Sequence, residues 1–340
     1  MKKREEQLIM YLISIDSGKA QTKWSAKNNR TGQVLKGVFP TTIKAINPEQ
    51  FGKIKTLVHY NGQHYSVGDA KDLKHVPEGT SKLNTTHEVC IYTAVAKALK
   101  ELGANLHQTQ SVHLCLNVPL RDYKDREERK KYQDRYFQEE AQETVSLTVD
   151  GQLVNFVVSE LTLGYEGQGA LIQASIQHPE LELEEGYVLL ADIGGHNDSV
   201  ILFEDFAPVS DHNDALFNGV LGLFKSVSKT LSQRHDSVIT MNDVELLSKG
   251  THKFQAELTD FETVYNNKAE ELLSDIKDNI LTNTTNARFT KFVFAGGGAQ
   301  ALKELIPHYF TDLNYIILED SQYANCLGML EKALSEVEGE

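Results

Sequence analysis

No stretch of this chain approaches the ~18 consecutive apolar residues of a membrane-crossing helix, which points to a soluble protein. The basic start, MKKREEQLIMYLISID, has no small-residue cleavage site and leads directly into Asp16, so it reads as the approach to a strand. Cysteine is scarce. Cys90, Cys115 and Cys326 are widely spaced, odd in number and set in apolar or helical runs, which indicates buried reduced thiols in a cytoplasmic protein. No CxxC or Cys/His cluster suggests zinc. Clustered positive charge is missing too. A net charge of −14 excludes phosphate-backbone recognition as the main business, so no direct nucleic-acid binding and no membrane partner is expected.

What is present is enough for two domains with separate cores: 340 residues, 40% hydrophobic and 24% charged. The most informative stretch is Tyr187–Phe203, YVLLADIGGHNDSVILF. Val188–Ala191 and Val200–Phe203 are short apolar runs of buried-strand type, and Gly194-Gly195 reads as part of the turn between them. Glycines accept positive φ, so successive amides there can converge on an anion, and Asp192 is placed to hold Mg²⁺ beside it through water. An ordinary glycine-rich hairpin is the favoured reading of this stretch alone. The pattern recurs, however. Leu8–Ile15 is a strand-like run followed by Asp16-Ser17-Gly18 and a return strand through Thr22-Lys23-Trp24. A third cluster follows the run Phe292–Ala295: Gly296-Gly297-Gly298-Ala299, then a helical stretch from Gln300 to Pro307.

Two Asp-x-Gly hairpins followed by a strand–Gly-Gly-Gly-Ala–helix unit resemble, in that order, the actin-like nucleotide-binding superfamily of actin, sugar kinases and heat-shock chaperones. The likeness spans nearly the whole chain. Further elements narrow it. Asn117-Val118-Pro119 with Tyr123, ahead of the mixed-charge stretch 121–140, resembles the G-L-P-x-x-x-Y element of plasmid-segregation actins of the ParM type, with Asn-Val in place of Gly-Leu. Tyr165-Glu166 through Ala170 is similar to their P-E-x-x-x-A junction, tyrosine replacing proline. Ser321-Gln322-Tyr323 followed by Gly328-Met329 resembles their S-Q-Y-x-x-x-x-G-M element. Ala324 and Gly328 leave one face of that helix small enough for close packing at a hinge.

Between these motifs the chain reads in order. Strand-like pieces at 34–38, 56–60 and 64–67 surround an Asn61-Gly62 hairpin turn. A helix over 88–102 ends at Gly103, and a half-buried strand over 112–118 ends at Pro119. The stretch 121–140 reads as a solvated helix, because its charges are mixed. Strands follow around Asp150-Gly151, and Gly167-x-Gly169 is discounted as a dinucleotide motif because Ile172 holds the third glycine position. Helices are expected over 219–231, 267–281 and 322–334, a polar loop over 282–288, a strand over 315–318 and a frayed acidic tail over 336–340.

The resemblance implies an α/β, two-domain actin-like fold, with a nucleotide cleft between the domains and a small inserted subdomain in each. Its first domain would cover residues 1–163 (insert about 34–80) and its second 164–320 (insert about 212–285), with a C-terminal helix, 321–340, returning to the first. Asp16 and Asp192 would hold Mg²⁺ and serve hydrolysis. Ser17, Gly18, Gly194, Gly195, His196 and Asn197 would face the phosphates, and Gly296, Gly297, Gly298 and Ala299 the nucleoside. Lys23 is either a phosphate cation or a surface residue. Glu166, or else Glu160, would face the attacking water. The second hairpin departs from the family's D-x-G-G-x-T-x-D: Asn197 replaces the threonine, and Asp198 comes one place early. The implied function is a filament-forming ATPase that uses ATP (GTP possible) and Mg²⁺, polymerises with itself and segregates plasmid DNA through a DNA-binding adaptor protein. A small-molecule kinase of the same superfamily is the alternative, and a chaperone the third reading.

Overall fold

Asn84 starts the helix that organises the first half. Its side chain accepts a hydrogen bond from the His87 amide, and α1 (Thr85–Glu101) runs on until Gly103, at φ +71°, donates to the Lys100 carbonyl. Glycine takes this left-handed backbone without strain, which ends the helix. Within α1, Val89, Ile91, Tyr92, Ala94, Val95, Ala96 and Leu99 are all buried. A helix apolar on nearly every side has to be enclosed.

The computed structural model describes residues 10–28, 31–47, 54–69, 81–137, 143–196, 198–217, 219–251, 258–283 and 290–338. The chain forms two compact units, Met1–Ile172 with Asn325–Glu340, and Gln173–Ala324. Expectations for Leu8, Ile9, Asn197 and the segments 70–80, 138–142, 284–289 and 339–340 lie outside the described residues.

In the first unit, strands β1 (Met10–Ser17), β2 (Gln21–Asn28), β3 (Val34–Pro40), β4 (Ile43–Ile46), β5 (Leu57–Tyr60), β6 (Gln63–Val67), β7 (Gln110–Val118), β8 (Val145–Val149) and β9 (Gln152–Tyr165) make one sheet. Its order is β3-β2-β1-β7-β9-β8-β5-β6-β4, with β1, β7 and β9 parallel. The outermost strands of that order, β3 and β4, follow one another in sequence with Thr41 and Thr42 between them. So short a link spans on the order of 10 Å, so the sheet curls back on itself. It does so around α1, which packs against β1, β2, β3, β4 and β8. The hairpin at Asn61-Gly62 has φ of +48° and +75°, the two positive values a tight hairpin turn requires. Strands β4 to β6, expected as an insert, continue the same sheet through the β5–β8 pairing.

The expected half-buried strand is corrected. Leu114, Leu116 and Val118 of β7 are buried on one face, but His113, Cys115 and Asn117 are buried on the other. The covering element is α10 (Ala324–Glu338), more than two hundred residues later. Cys115 clusters with Leu12, Met329, Leu330, Ala333 and Leu334, and the Asn117 amide donates to the Asn325 carbonyl at 3.4 Å. The charged stretch splits into α2 (Leu120–Lys124) and α3 (Arg126–Tyr136), and only Tyr132 and Tyr136 of α3 are buried. Its mixed charges pair locally, as Lys131 does with Glu128.

The second unit has a five-stranded sheet, ordered β12 (Ala207–Phe217), β11 (Asp198–Glu204), β10 (Tyr187–Ile193), β13 (Lys291–Ala295), β14 (Tyr315–Ile317). Both apolar runs of the central hairpin are strands, paired antiparallel, and β13 lies parallel to β10. Strand β12 carried no apolar periodicity in the sequence reading and was not anticipated. Helix α5 (Gly219–His235) buries Val220, Leu223, Phe224, Val227 and Leu231 as its periodicity predicts, packing against α6 (Met241–Ser248) and α7 (Phe261–Asn283). No described helix is long and apolar enough to cross a membrane.

Where α10 crosses α4 (Gln168–Gln177), backbone meets backbone. A Cβ on Gly328 would lie 1.8 Å from the Gly169 carbonyl oxygen, and one on Gly169 would lie 2.1 Å from the Asn325 oxygen. The small helix face read from Ala324 and Gly328 is therefore closely packed, with α4 as its partner. Gly328→Ala is expected to cost about 1–3 kcal/mol through overpacking. Its thermal midpoint, compared with that of the unmodified protein, checks this; an unchanged midpoint would refute the crossing.

Candidate functional site

The first Asp-x-Gly turn lies at the end of β1, the strand between β2 and β7. Asp16 is buried, and across the hairpin Lys23 pairs with it at 3.4 Å. The Lys23 ammonium thus already serves a carboxylate of the same turn. Ser17 is also turned inward: its hydroxyl lies 2.8 Å from His87 Nδ1, on α1. The Gly18 amide donates to the Gln21 carbonyl at 3.0 Å and closes the hairpin.

Glu166 occupies the turn between β9 and α4. Its amide donates to the Val118 carbonyl, fixing the turn to the end of β7. The side chain of Asn325 accepts from the amides of Gly167 and Ala170, so α10 caps the start of α4. Gly164 admits Met329 so closely that a Cβ would lie 2.4 Å from its sulfur. The S-Q-Y-x-x-x-x-G-M run therefore acts physically through Asn325, Gly328 and Met329, which hold the turn that carries Glu166. Glu160 lies elsewhere on β9, 3.0 Å from His113 Nδ1 and half-exposed.

The Glu166 carboxylate is 2.6 Å from the ammonium of Lys82, a residue that sequence reasoning missed. Lys82 belongs to no motif and no periodic run, so nothing in the sequence marks it. Burial opposes its charge, but the carboxylates of Glu166 and Asp16 outweigh this and raise its pKa above the ordinary lysine value. His87 goes the other way, pushed down to about 3 by burial, with the Lys82 charge adding to the effect. It is therefore a neutral imidazole at physiological pH.

In the second unit, the turn after β10 is tied to the next helix. The Gly194 and Gly195 carbonyls accept from the amides of Val220 and Leu221 at the start of α5. Gly219, at φ +44°, is required there, because a Cβ would lie 2.4 Å from the Gly195 oxygen. Asp192 and His196 are partly buried at this turn. Asp198 is buried; the Gly194 backbone is near enough to favour its charged form, but neither carboxylate oxygen completes a hydrogen bond among the described residues. Burial, then the Asp192 charge, raise its pKa to about 8.

The glycine cluster forms helical turns from its first residue: α8 spans Gly296–Ala301, rather than starting at Gln300, and α9 (Ile306–Tyr309) follows. Gly296 and Gly298 are glycines because β10 is so near. Added Cβ atoms would lie 2.3 Å from the Asp192 carboxylate and 2.2 Å from the Ile193 side chain, respectively. Ala299 is fully buried in the core. Gly297 alone of the three glycines has an open side, its nearest neighbour being Gln322 at 3.7 Å. The cluster is held from behind by Ser321, whose hydroxyl donates to the Gly296 carbonyl at 3.0 Å.

A divalent cation fits the second turn. Two carboxylates, one with unpartnered oxygens, lie beside each other there, and like charges so placed favour a cation or a proton between them. Among the described residues no three His, Cys, Asp or Glu side chains gather, so most of the ion's shell would be water and phosphate oxygen, as Mg²⁺ prefers.

Two family models match the chain: "Actin like proteins N terminal domain" over residues 14–169, and "Archaeal actin homologue MreB-like, C-terminal" over residues 190–307. Similar solved structures include the Alp12 filament, at 23% identity, 96% coverage of this chain, 99% of that one, and TM-score 0.70. The archaeal actin homologue Ta0583 in complex with ADP is 17% identical, with coverage of 95% and 99% and TM-score 0.72. A ParM of a 15-stranded filament from Clostridium botulinum is 17% identical, with coverage of 96% and 100% and TM-score 0.68. No curated protein matches the chain by sequence.

The depressed His87 pKa has a measurable consequence. An imidazole with a folded value below its unfolded one leaves stability intact above the unfolded pKa of about 6.5 and removes it as pH falls toward about 3. Between those limits the slope from one such group is on the order of 1 kcal/mol per pH unit. Thermal midpoints taken from neutral pH down to about pH 4.5 should therefore fall more steeply for the unmodified protein than for His87→Gln. Parallel curves would show that His87 protonates freely in the folded state.

Proposed function

Since this chain belongs to the actin-like proteins, we propose that it is a nucleotide-dependent, filament-forming ATPase that segregates plasmid DNA through an adaptor protein. The observation that carries the reading is the pair of Asp-x-Gly turns, each ending a central strand flanked by one antiparallel and one parallel neighbour. The same construction in both halves supports two acidic turns devoted to one chemistry. Among the fold's neighbours, Alp12 and the Clostridium botulinum ParM are filaments, and Ta0583 binds ADP. These neighbours do not favour the small-molecule kinase alternative.

In this reading ATP, with GTP as the possible substitute, is the substrate. Asp192 and Asp198 in the second unit and Asp16 in the first are the carboxylates available to Mg²⁺, which would neutralise phosphate charge when bound. Lys23 holds Asp16 in an ion pair at 3.4 Å and so orients it. The amides around Gly194, Gly195, His196 and Asn197 are the phosphate donors, whereas Ser17 and Gly18 shape the first turn from within. Gly297 offers the open face to the nucleoside. Glu166 orients the attacking water, and a fixed carboxylate does this without reorganising at the moment of reaction. The protomer binds itself head to tail, and contacts of that kind do not close and so build filaments. The cytoplasm is the compartment, and a basic adaptor links the acidic filament to DNA.

Sedimentation and electron microscopy with ATP, GTP, ADP and no nucleotide test this. Filaments are expected with triphosphate, shortening after hydrolysis, and they should strengthen with moderate salt, because protomers of net charge −14 repel. Asp192→Ala should abolish Mg-dependent turnover. A protein that stays monomeric with every nucleotide while phosphorylating a small molecule would overturn the proposal.

A further inference from the structure

Lys82 lies just ahead of the Asn84 cap, and its side chain turns into the first unit until only 6% of it remains exposed. Buried ammonium groups are rare unless paired. Oε1 of Glu166, at 2.6 Å, is its ion-pair partner, and beyond that pair the nitrogen completes no hydrogen bond among the described residues. The cavity around it is walled by Ser17, Asn117, Val118, Tyr132 and Tyr136, whose groups are neutral. His87, the nearby imidazole, is neutral as well. The ammonium is thus a charge in fixed surroundings with one close anchor.

Glu166 is placed differently. A third of its side chain, 34%, is exposed. Its backbone is held at both sides, by the Val118 carbonyl and by the Asn325 side chain on Gly167. A carboxylate on an anchored turn, with one oxygen held by a buried cation, loses most of its rotamer freedom. Its other oxygen then points in one set direction.

We propose that Lys82 is a positioning residue for Glu166: its buried ammonium fixes the carboxylate in one orientation and so sets the rate of the hydrolytic step. This rests on the nucleotide-hydrolysing reading of the site. Lys82 touches no reacting atom; it acts through Glu166. A purely structural ion pair, tying the approach to α1 onto the β9–α4 turn, would affect folding and leave turnover per folded molecule alone.

The test compares steady-state hydrolysis, nucleotide affinity and thermal midpoint in the unmodified protein, Lys82→Met, Lys82→Gln, Lys82→Arg, Glu166→Gln and the Lys82→Met/Glu166→Gln double variant. Lys82→Met and Lys82→Gln are expected to lower kcat about 10- to 100-fold, with nucleotide affinity held within about threefold. Lys82→Arg should recover most of the rate. The double variant should be no slower than Glu166→Gln alone, because without the carboxylate nothing remains to be positioned. If Lys82→Met fails to fold, Lys82→Gln, which keeps a polar head in the cavity, carries the test. Unmodified kcat in the folded Lys82 variants, or losses that multiply in the double variant, would overturn the proposal. Unmodified turnover in Glu166→Gln would remove the role of Glu166 and the proposal with it. No hydrolysis of any nucleotide by the unmodified protein would instead sink the functional reading itself.

Discussion

The contact on which most of the first unit depends is made by backbone. Gly328 and Gly169 let α10 and α4 approach until carbonyl and Cα touch, and at that distance the Asn325 side chain reaches the first amides of α4. Three consequences follow from one crossing. The amides of Gly167 and Ala170, among those a helix start leaves without an intrahelical partner, gain an acceptor. The turn bearing Glu166 is held in place. The second face of β7 gains a cover, so that a strand with polar residues at alternate positions is buried from Val112 to Val118. A methyl group at either glycine would disturb all three.

Burial decides charge at both acidic turns, with opposite results. In the first unit a lysine is paid for by carboxylates: Lys82 stays protonated because Glu166, in contact, and Asp16 outweigh its burial, while burial and the Lys82 charge keep the neighbouring His87 neutral. In the second unit the imbalance is acidic. Asp198 lies buried beside Asp192, and burial together with that charge holds its proton up to about pH 8. Two carboxylates side by side at the second turn favour a cation or a proton between them. Lys23 on Asp16 belongs to the balance of the first unit.

Much of the architecture was legible because local signals agreed with it. Apolar runs of four to eight residues became β10, β11 and β13, the spacing of Val220, Leu223, Phe224, Val227 and Leu231 became the inner face of α5, and Asn61-Gly62 became a hairpin with positive φ at both residues. Strand β12 escaped because it lacks an alternating pattern. The glycine cluster was legible as a site of close approach, but the approaching body is largely β10, with only Gly297 open. The full burial of β7 was not legible at all, since its cover comes from the far end of the chain.

The sequence by itself determined the strand–turn–strand order, the two Asp-x-Gly turns, the glycine cluster and the acidic balance, because each depends on residues a few positions apart. Only the tertiary structure decided which of those residues have partners. It put Lys23 on Asp16, closed the Gly18 amide into its own hairpin, left the Asp198 oxygens without a hydrogen bond among the described residues, and brought Lys82 to Glu166 across more than eighty residues. The physical reason is the same in each case: a charge or a polar group is defined by what lies within ~4 Å of it in a low-dielectric interior, and no local pattern encodes that neighbourhood.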